Sequence, residues 1–146
     1  MKRVLVVGED ALSCALGERL VGSAMPGWSL VPPINTKGVT KLISGLPRYI
    51  EQARYVRPVV CVADTDGSCV KTLLARWVQT PPPTAFHLRL AVTEAESWVL
   101  ADRDGFARYF RVSLNRVPSR TDDIQDPSAF FCKLFRDRAC DNTETR

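Results

Sequence analysis

Two aspartates separated by one residue, Asp64 and Asp66, follow an apolar run of largely β-branched residues at 59–63. Such a run predicts a strand that is buried on both faces. Because side chains alternate along a strand, the two carboxylates should point the same way if the extended conformation continues past Ala63. Like charges at one place repel each other unless a cation separates them, and Mg²⁺ or Mn²⁺ prefers oxygen ligands. The alternative is an ordinary exposed turn, because Asp-Thr-Asp-Gly is also a typical turn sequence.

Further acids follow two other apolar runs. Glu9 comes directly after residues 3–7, and Glu94 and Glu96 come after residues 86–92. In open parallel sheets, ligands bind beyond the carboxyl ends of the strands. If these three strands are neighbours, one or two Mg²⁺ ions would relieve the repulsion among the acids and supply a Lewis acid for phosphoryl transfer. The alternative is that some of the acids only favour helix N-termini through the helix dipole.

The elements that must position these acids alternate along the chain. Apolar patterns predict strands at residues 3–7, 28–34, 59–63 and 86–92, and helices at 11–21, 39–55, 68–78, from about 93 and after 127. The second strand should be an edge strand because it contains Pro32 and Pro33. Gly22 and Pro26 should end the first helix, and Pro47 should divide the second. The sequence therefore predicts one α/β domain at residues 1–140, with a mostly parallel sheet, helices on both faces, and a polar, frayed tail at 141–146.

The chain has 146 residues, of which 45% are hydrophobic and 25% charged, as is usual for a globular domain. Its net charge is +4, and fifteen of its twenty basic residues are arginines, which favour bidentate phosphate contacts. Lys71 and Arg76, in the helix predicted after Asp66, are candidates to bind the phosphates of a substrate. The charge balance permits a nucleic acid partner without requiring one.

Several kinds of site are not indicated by the sequence. The five cysteines show no Cys-x-x-Cys spacing, and the single histidine, His87, lies beside an apolar run, so a zinc site is not expected. The sequence contains neither a P-loop nor a Gly-x-Gly-x-x-Gly fingerprint. The N-terminal apolar run is too short for a signal peptide or a membrane span, so we expect a reduced, cytoplasmic protein that does not bind membranes.

A strand followed by Glu and a buried strand followed by Asp-x-Asp resemble the Toprim signature of topoisomerases, primases and overcoming-lysogenization-defect nucleases. The chain is most similar to an uncharacterised bacterial Toprim-like family. The resemblance lies in three motifs: Gly-Glu-Asp-Ala-Leu-Ser at 8–13, Ala-Asp-Thr-Asp at 63–66 and Ala-Val-Thr-Glu-Ala-Glu-Ser-Trp-Val-Leu-Ala-Asp at 91–102. The similarity continues through residues 105–110 and into 126–127.

The resemblance implies a Mg²⁺- or Mn²⁺-dependent nuclease that acts on DNA or RNA, in a bacterial defence or mobile-element locus, with an ATPase partner. It implies that Glu9 is a general acid or base or a metal ligand, and that Asp64 and Asp66 hold the metal. Glu94 and Glu96 would be further ligands, or one ligand and one structural residue. Relatives usually carry Arg where this chain has Thr93, and they continue with a basic segment past the last helix.

Two alternatives remain open at this point. These differences favour a catalytically inactive module of the same fold that binds a metal or a nucleotide and acts with a partner ATPase. The second alternative is a receiver-type signalling domain with Asp64 as the phosphoacceptor, but the chain lacks a last strand that ends in Lys-Pro. The sequence does not predict the oligomeric state.

Overall fold

A computed structural model describes residues 2–141 of the chain, and the side chains of residues 2–137. The strands are β1 (Arg3–Gly8), β2 (Ser29–Leu30), β3 (Ile34–Asn35), β4 (Val59–Asp64) and β5 (Phe86–Ala91). The helices are α1 (Ala11–Ala24), α2 (Val39–Tyr55), α3 (Val70–Trp77), α4 (Ala95–Ala101), α5 (Arg103–Phe110) and α6 (Pro127–Asp141). Two single-turn 3₁₀ helices, Leu114–Arg116 and Thr121–Asp123, lie between α5 and α6.

The strands form a parallel sheet in the order β2-β1-β4-β5, with β3 also paired to β1. The predicted edge strand at 28–34 is therefore two short pieces on one side of β1. Arg3 and Val4 pair with β2, whereas Val7 and Gly8 pair with β3. Pro32 and Pro33 lie between the pieces, as expected for residues that cannot donate to a sheet ladder.

Both faces of the sheet are covered by helices, so the predicted fold class is confirmed. Alternate residues of β1 and β4 face α2, and form one core cluster: Leu5, Val7, Val59, Cys61 and Ala63, with Leu42, Leu46, Tyr49, Ala53 and Phe86. The residues between them face α1 and α4, and form a second cluster: Val4, Val6, Val60 and Val62, with Val21 and, partly buried, Trp98. The continuous apolar runs of β1 and β4 thus reflect burial on both sides.

A third cluster lies away from the sheet, among α4, α5, α6 and the chain that carries the two 3₁₀ helices. Its buried residues are Leu100, Phe106, Val117 and Leu134. Phe106 contacts Phe131 edge-to-face, with 5.0 Å between the ring centroids. Arg103 donates from Nη2 to the Val117 carbonyl at 2.7 Å, which ties the end of the first 3₁₀ helix to α5.

Three predicted element boundaries are wrong. Helix α1 continues past Gly22 to Ala24, and its N-cap is Asp10, whose side chain accepts a hydrogen bond from the Ser13 N–H. Pro47 lies inside α2 and does not divide it. Helix α3 is shorter than predicted, because Cys69 is its N-cap and the Ser68 N–H closes the preceding turn on the Thr65 carbonyl.

No helix among residues 2–141 is long and apolar enough to cross a membrane. Of the predicted polar tail at 141–146, Asp141 is the last residue of α6, and residues 142–146 lie outside the described part of the chain.

Candidate carboxylate site

Glu9 and Asp64 meet at the carboxyl ends of the two central strands. The parallel pairing of β1 with β4 places Gly8 beside Val62, so Glu9, which follows β1, lies near Asp64, the last residue of β4. The Asp64 N–H donates to Glu9 Oε1 at 3.1 Å, and the two carboxyl groups lie close enough for each to affect the pKa of the other. Glu9 is only 9% exposed. The structure therefore brings together two of the five acids that the sequence was expected to gather at this edge of the sheet.

The contact between two carboxyl groups changes their protonation. Burial, then the nearby charge of Glu9 and the hydrogen bond to it, raise the pKa of Asp64 to about 8. Burial also raises the pKa of Glu9, although the hydrogen bonds from Asp64 act in the opposite direction. Both shifts favour protonation of the pair over two ionised carboxylates side by side. A cation bound at this place would compete with a proton.

Asp64 has a second partner on the opposite side. Its Oδ1 accepts a hydrogen bond of 2.8 Å from the N–H of Ala95, the first residue of α4. This bond lowers the pKa of Asp64, but by less than burial and Glu9 raise it. It also links the end of β4 to the start of the helix that follows β5.

Asp66 does not continue strand β4. It was expected to point the same way as Asp64 only if the chain stayed extended through Asp66, and the chain turns instead. The strand ends at Asp64, and Asp66 has a left-handed backbone with φ of 47°. The turn is fixed by the Thr93 carbonyl, which accepts hydrogen bonds from the N–H groups of Thr65 and Asp66 at 3.0 and 3.1 Å. The Asp66 side chain is exposed and lines a cleft, where Asp64 also lies.

Glu94 and Glu96 have different surroundings. Glu94 Oε2 accepts a hydrogen bond of 2.9 Å from the Ser128 N–H in the first turn of α6, so Glu94 stabilises the start of that helix. Burial, with further contributions from the charges of Glu94, Asp10 and Asp126, raises the pKa of Glu96. The charge of Glu96 in turn contributes to the raised pKa of Asp64. Glu96 therefore belongs to the electrostatic surroundings of the pair, whereas Glu94 has a structural partner.

A cleft adjoins the carboxyl pair on the side of α2 and α3. Asp64, Thr65 and Asp66 line it at the end of β4, and Val39 and Ile43 of α2 and Arg76 and Trp77 of α3 complete its walls. The predicted phosphate-binding residue Arg76 is thus in the same cleft as the acids. Lys71 is exposed on the first turn of α3 and is not among the residues that line this cleft.

The carboxylate oxygens at this site partly match the requirements of a Mg²⁺ or Mn²⁺ site. The raised pKa values of Glu9 and Asp64 mean that this place favours positive charge, and both residues offer the hard oxygen ligands that such ions prefer. Within residues 2–137, however, no three acidic, histidine or cysteine side chains are grouped so that they would hold one ion. Glu9 and Asp64 are therefore the two residues that fit a metal ligand set in this arrangement.

Two features of the site were not predicted from the sequence. Trp77 lines the cleft beside Arg76, although a tryptophan at the end of an amphipathic helix looks like an ordinary core residue. Thr93 provides the carbonyl that shapes the acidic turn, although its position in the sequence suggested only a lost cation. The sequence did contain one indication that Trp77 lies in the cleft: it is adjacent to Arg76 in the helix that follows the Asp-x-Asp motif.

Comparison with known proteins identified no relative. No protein-family model matches the chain, and neither a curated protein nor a solved structure matches it. The resemblance to Toprim-like proteins therefore remains an interpretation of three sequence motifs, and the candidate function depends on the geometry of the site.

Proposed function

We propose that this chain is a Toprim-like, Mg²⁺-dependent phosphoryl-transfer protein that hydrolyses phosphodiester bonds of DNA or RNA. The observation that carries the proposal is the contact between Glu9 and Asp64, two buried or half-buried carboxyl groups from neighbouring parallel strands, in which burial and each other's proximity raise the pKa of Asp64. Acids held together in this way are costly unless a cation or a chemical role compensates. The position of the pair, at the carboxyl ends of the central strands, is where α/β sheets bind their ligands.

In this proposal, Glu9 and Asp64 hold the ion, and the ion, when bound, supplies a Lewis acid and lowers the pKa of water. If Asp64 alone holds the ion, Glu9 is instead the group that we assign as general base, as the resemblance implies. Arg76 lines the same cleft and would orient a phosphate of the substrate. Glu96 adds negative charge nearby, and Glu94 keeps α6 against the site through Ser128.

Cleavage of labelled oligonucleotides with Mg²⁺ or Mn²⁺ tests the proposal. We expect Asp64→Asn and Glu9→Gln each to lower the cleavage rate by at least about 100-fold, which is typical when a group that acts in the transition state is removed. Asp122→Asn, at an exposed acid in the second 3₁₀ helix, is the control and should cleave at the wild-type rate. An Asp64→Asn variant as active as the wild type would contradict the assignment.

The second candidate is a catalytically inactive module that binds a metal or a nucleotide and acts with a partner ATPase. It is favoured by the small number of acids that meet: Glu94 is bonded to Ser128, and no group of three potential ligands occurs within residues 2–137. Calorimetric titration with Mn²⁺ separates the two candidates. Binding that is lost in Asp64→Asn, without cleavage of any nucleic acid, would favour the inactive module.

A further inference from the structure

The cleft beside the acids continues into a second cavity between α2 and α3. Ile43, Arg76 and Trp77 line both, so the two form one groove that begins at Asp64. Beyond Trp77, the groove continues between α2 and the loop that follows α3, past Pro47, Arg54 and Gln79. The two parts enclose about 390 and about 460 Å³, and each is within the size range of sites for small organic ligands.

The side chains of the groove combine an aromatic surface with two arginines. Its acids are Asp64 and Asp66 at one end and Glu51 beside Arg54 at the other. Trp77 packs partly against the core cluster under α2, so its ring is held in place while it also lines both cavities. Arg76 is exposed, and no acid of residues 2–137 forms an ion pair with it. At the far end, Arg54 pairs with Glu51 at 3.5 Å, but both are exposed, so the pair contributes little and can be exchanged.

We infer that this groove binds a single strand of nucleic acid and leads it to the carboxyl pair. Arg76 and Arg54 bind successive phosphates of the strand, and a base stacks on Trp77. Cations that follow the backbone, together with aromatic rings for the bases, are the usual features of a surface for single strands. The inference rests on the proposed function, because it takes nucleic acid as the substrate.

Binding measured without metal tests this inference separately from catalysis. The probes are fluorescein-labelled oligonucleotides of oligo-dT and oligo-U and a duplex of equal length, observed by fluorescence anisotropy with the full chain in EDTA. We expect the single strands to bind more tightly than the duplex, and the relative affinities of the two single strands then identify DNA or RNA as the preferred backbone. Arg76→Gln should weaken binding about tenfold and lower the salt dependence by about one counterion.

Variants of Trp77 test the stacking surface. Trp77→Leu should weaken binding about tenfold because it removes the ring, whereas Trp77→Phe should retain most of the affinity. Because Trp77 also packs against the core, circular dichroism and thermal melting must show that each variant is folded. Arg19→Gln is the matched control, since Arg19 is exposed on α1 at the other face of the sheet, and its affinity should not change.

The results separate the inference from the proposed function. If the wild type binds single strands through Arg76 and Trp77 but never cleaves them, the inference stands and the nuclease proposal fails. If the wild type cleaves nucleic acid while Arg76→Gln and Trp77→Leu bind and cleave as the wild type does, the groove is not the binding site. Equal affinity for the duplex and the single strands would also overturn the inference.

Discussion

Two neighbours act on the carboxyl group of Asp64 in opposite directions. Glu9 favours the protonated acid, through its charge and its hydrogen bond, whereas the Ala95 N–H favours the carboxylate. Burial acts with Glu9, and the sum raises the pKa of Asp64 to about 8. The folded protein therefore binds a proton at neutral pH that the unfolded chain, with an ordinary aspartate pKa of 3.8, releases.

The direction of the pH effect on stability follows from this difference. The raised pKa of Asp64 contributes stability that is fully present below about pH 4 and is lost as the pH rises through about 8. Asp64→Asn mimics the protonated acid and keeps the acceptor for Ala95, so it should not lose this stability. In EDTA at pH 8, we expect the free energy of unfolding of this variant to be about 2 kcal/mol higher than that of the wild type. Urea unfolding at several pH values measures this.

The stabilisation by Asp64→Asn should shrink steadily from pH 8 to pH 5, because the folded wild type binds a proton that the unfolded chain lacks, and binding that proton costs less free energy as the pH falls. Asp66→Asn is the matched control, because Asp66 is exposed in the same turn and asparagine also tolerates a positive φ. We expect it to change the free energy of unfolding by less than about 0.5 kcal/mol. A stabilisation by Asp64→Asn that is independent of pH would show that Asp64 is ionised in the folded protein.

The sequence predicted which acids follow the strands, but it could not predict which of them meet. Glu9 and Asp64 meet because β1 pairs with β4 in the sheet; the alternation of strands and helices predicts parallel strands but not their order. Asp66 and Glu94 point elsewhere because of contacts between residues distant in the chain, with the Thr93 carbonyl and with Ser128. Such contacts form only after the whole chain has packed.

At the scale of elements, packing outweighs local preference in α2. Proline inside a helix costs about 3 kcal/mol, and this cost led to the prediction of two helices. Pro47 is exposed, however, while the buried residues Leu42, Leu46, Tyr49 and Ala53 recur at helical spacing along the other side. Their burial against the sheet more than compensates, because each large side chain contributes about 2 kcal/mol. The apolar spacing was therefore the better guide to the length of the helix.

Helix α1 contains two glycines in contrasting surroundings. A Cβ at Gly17 would lie 2.6 Å from Cγ1 of Val6, a rigid and fully buried side chain of β1. A Cβ at Gly22 would meet no atom within 4 Å. We expect Gly17→Ala to destabilise the protein by about 1–3 kcal/mol through overpacking, and Gly22→Ala to stabilise it by about 0.5–1 kcal/mol through helix propensity. Chemical denaturation of both variants checks the pair.

The two substitutions change helix propensity equally, so each is the control for the other. If the two substitutions change the free energy of unfolding in opposite directions, α1 lies against β1 as closely as the structure shows. If Gly17→Ala were as stabilising as Gly22→Ala, the helix would have room to move away from the sheet, and the close packing of Gly17 on Val6 would be wrong.

At the scale of the whole molecule, the core is divided. The first two clusters share the strands β1 and β4, whose buried residues are almost fully excluded from solvent. The third cluster joins α4, α5 and α6 without a strand. The sequence predicted the first two from continuous apolar runs. It predicted the amphipathic last helix but not its partners, because those lie far away in the chain and no periodicity specifies them.

This division predicts two levels of stability. We expect the amides of β1 and β4 to exchange hydrogen only when the whole protein unfolds, and those of α5 and α6 to exchange through a partial opening of lower free energy. Native-state hydrogen exchange in increasing denaturant measures both. Phe106→Leu, in the third cluster, should lower both free energies by about 1–2 kcal/mol, because it weakens contacts that are lost in either opening.

Val59→Ala in β4 is the contrasting variant, because Val59 is fully buried in the first cluster and takes no part in the third. It should lower the free energy of global unfolding by about 2 kcal/mol and leave the partial opening of α5 and α6 unchanged. If Val59→Ala instead lowered the protection of α5 and α6 equally, the molecule would open as a single unit. The link from Glu94 to Ser128 would then join α6 to the sheet as firmly as the core itself.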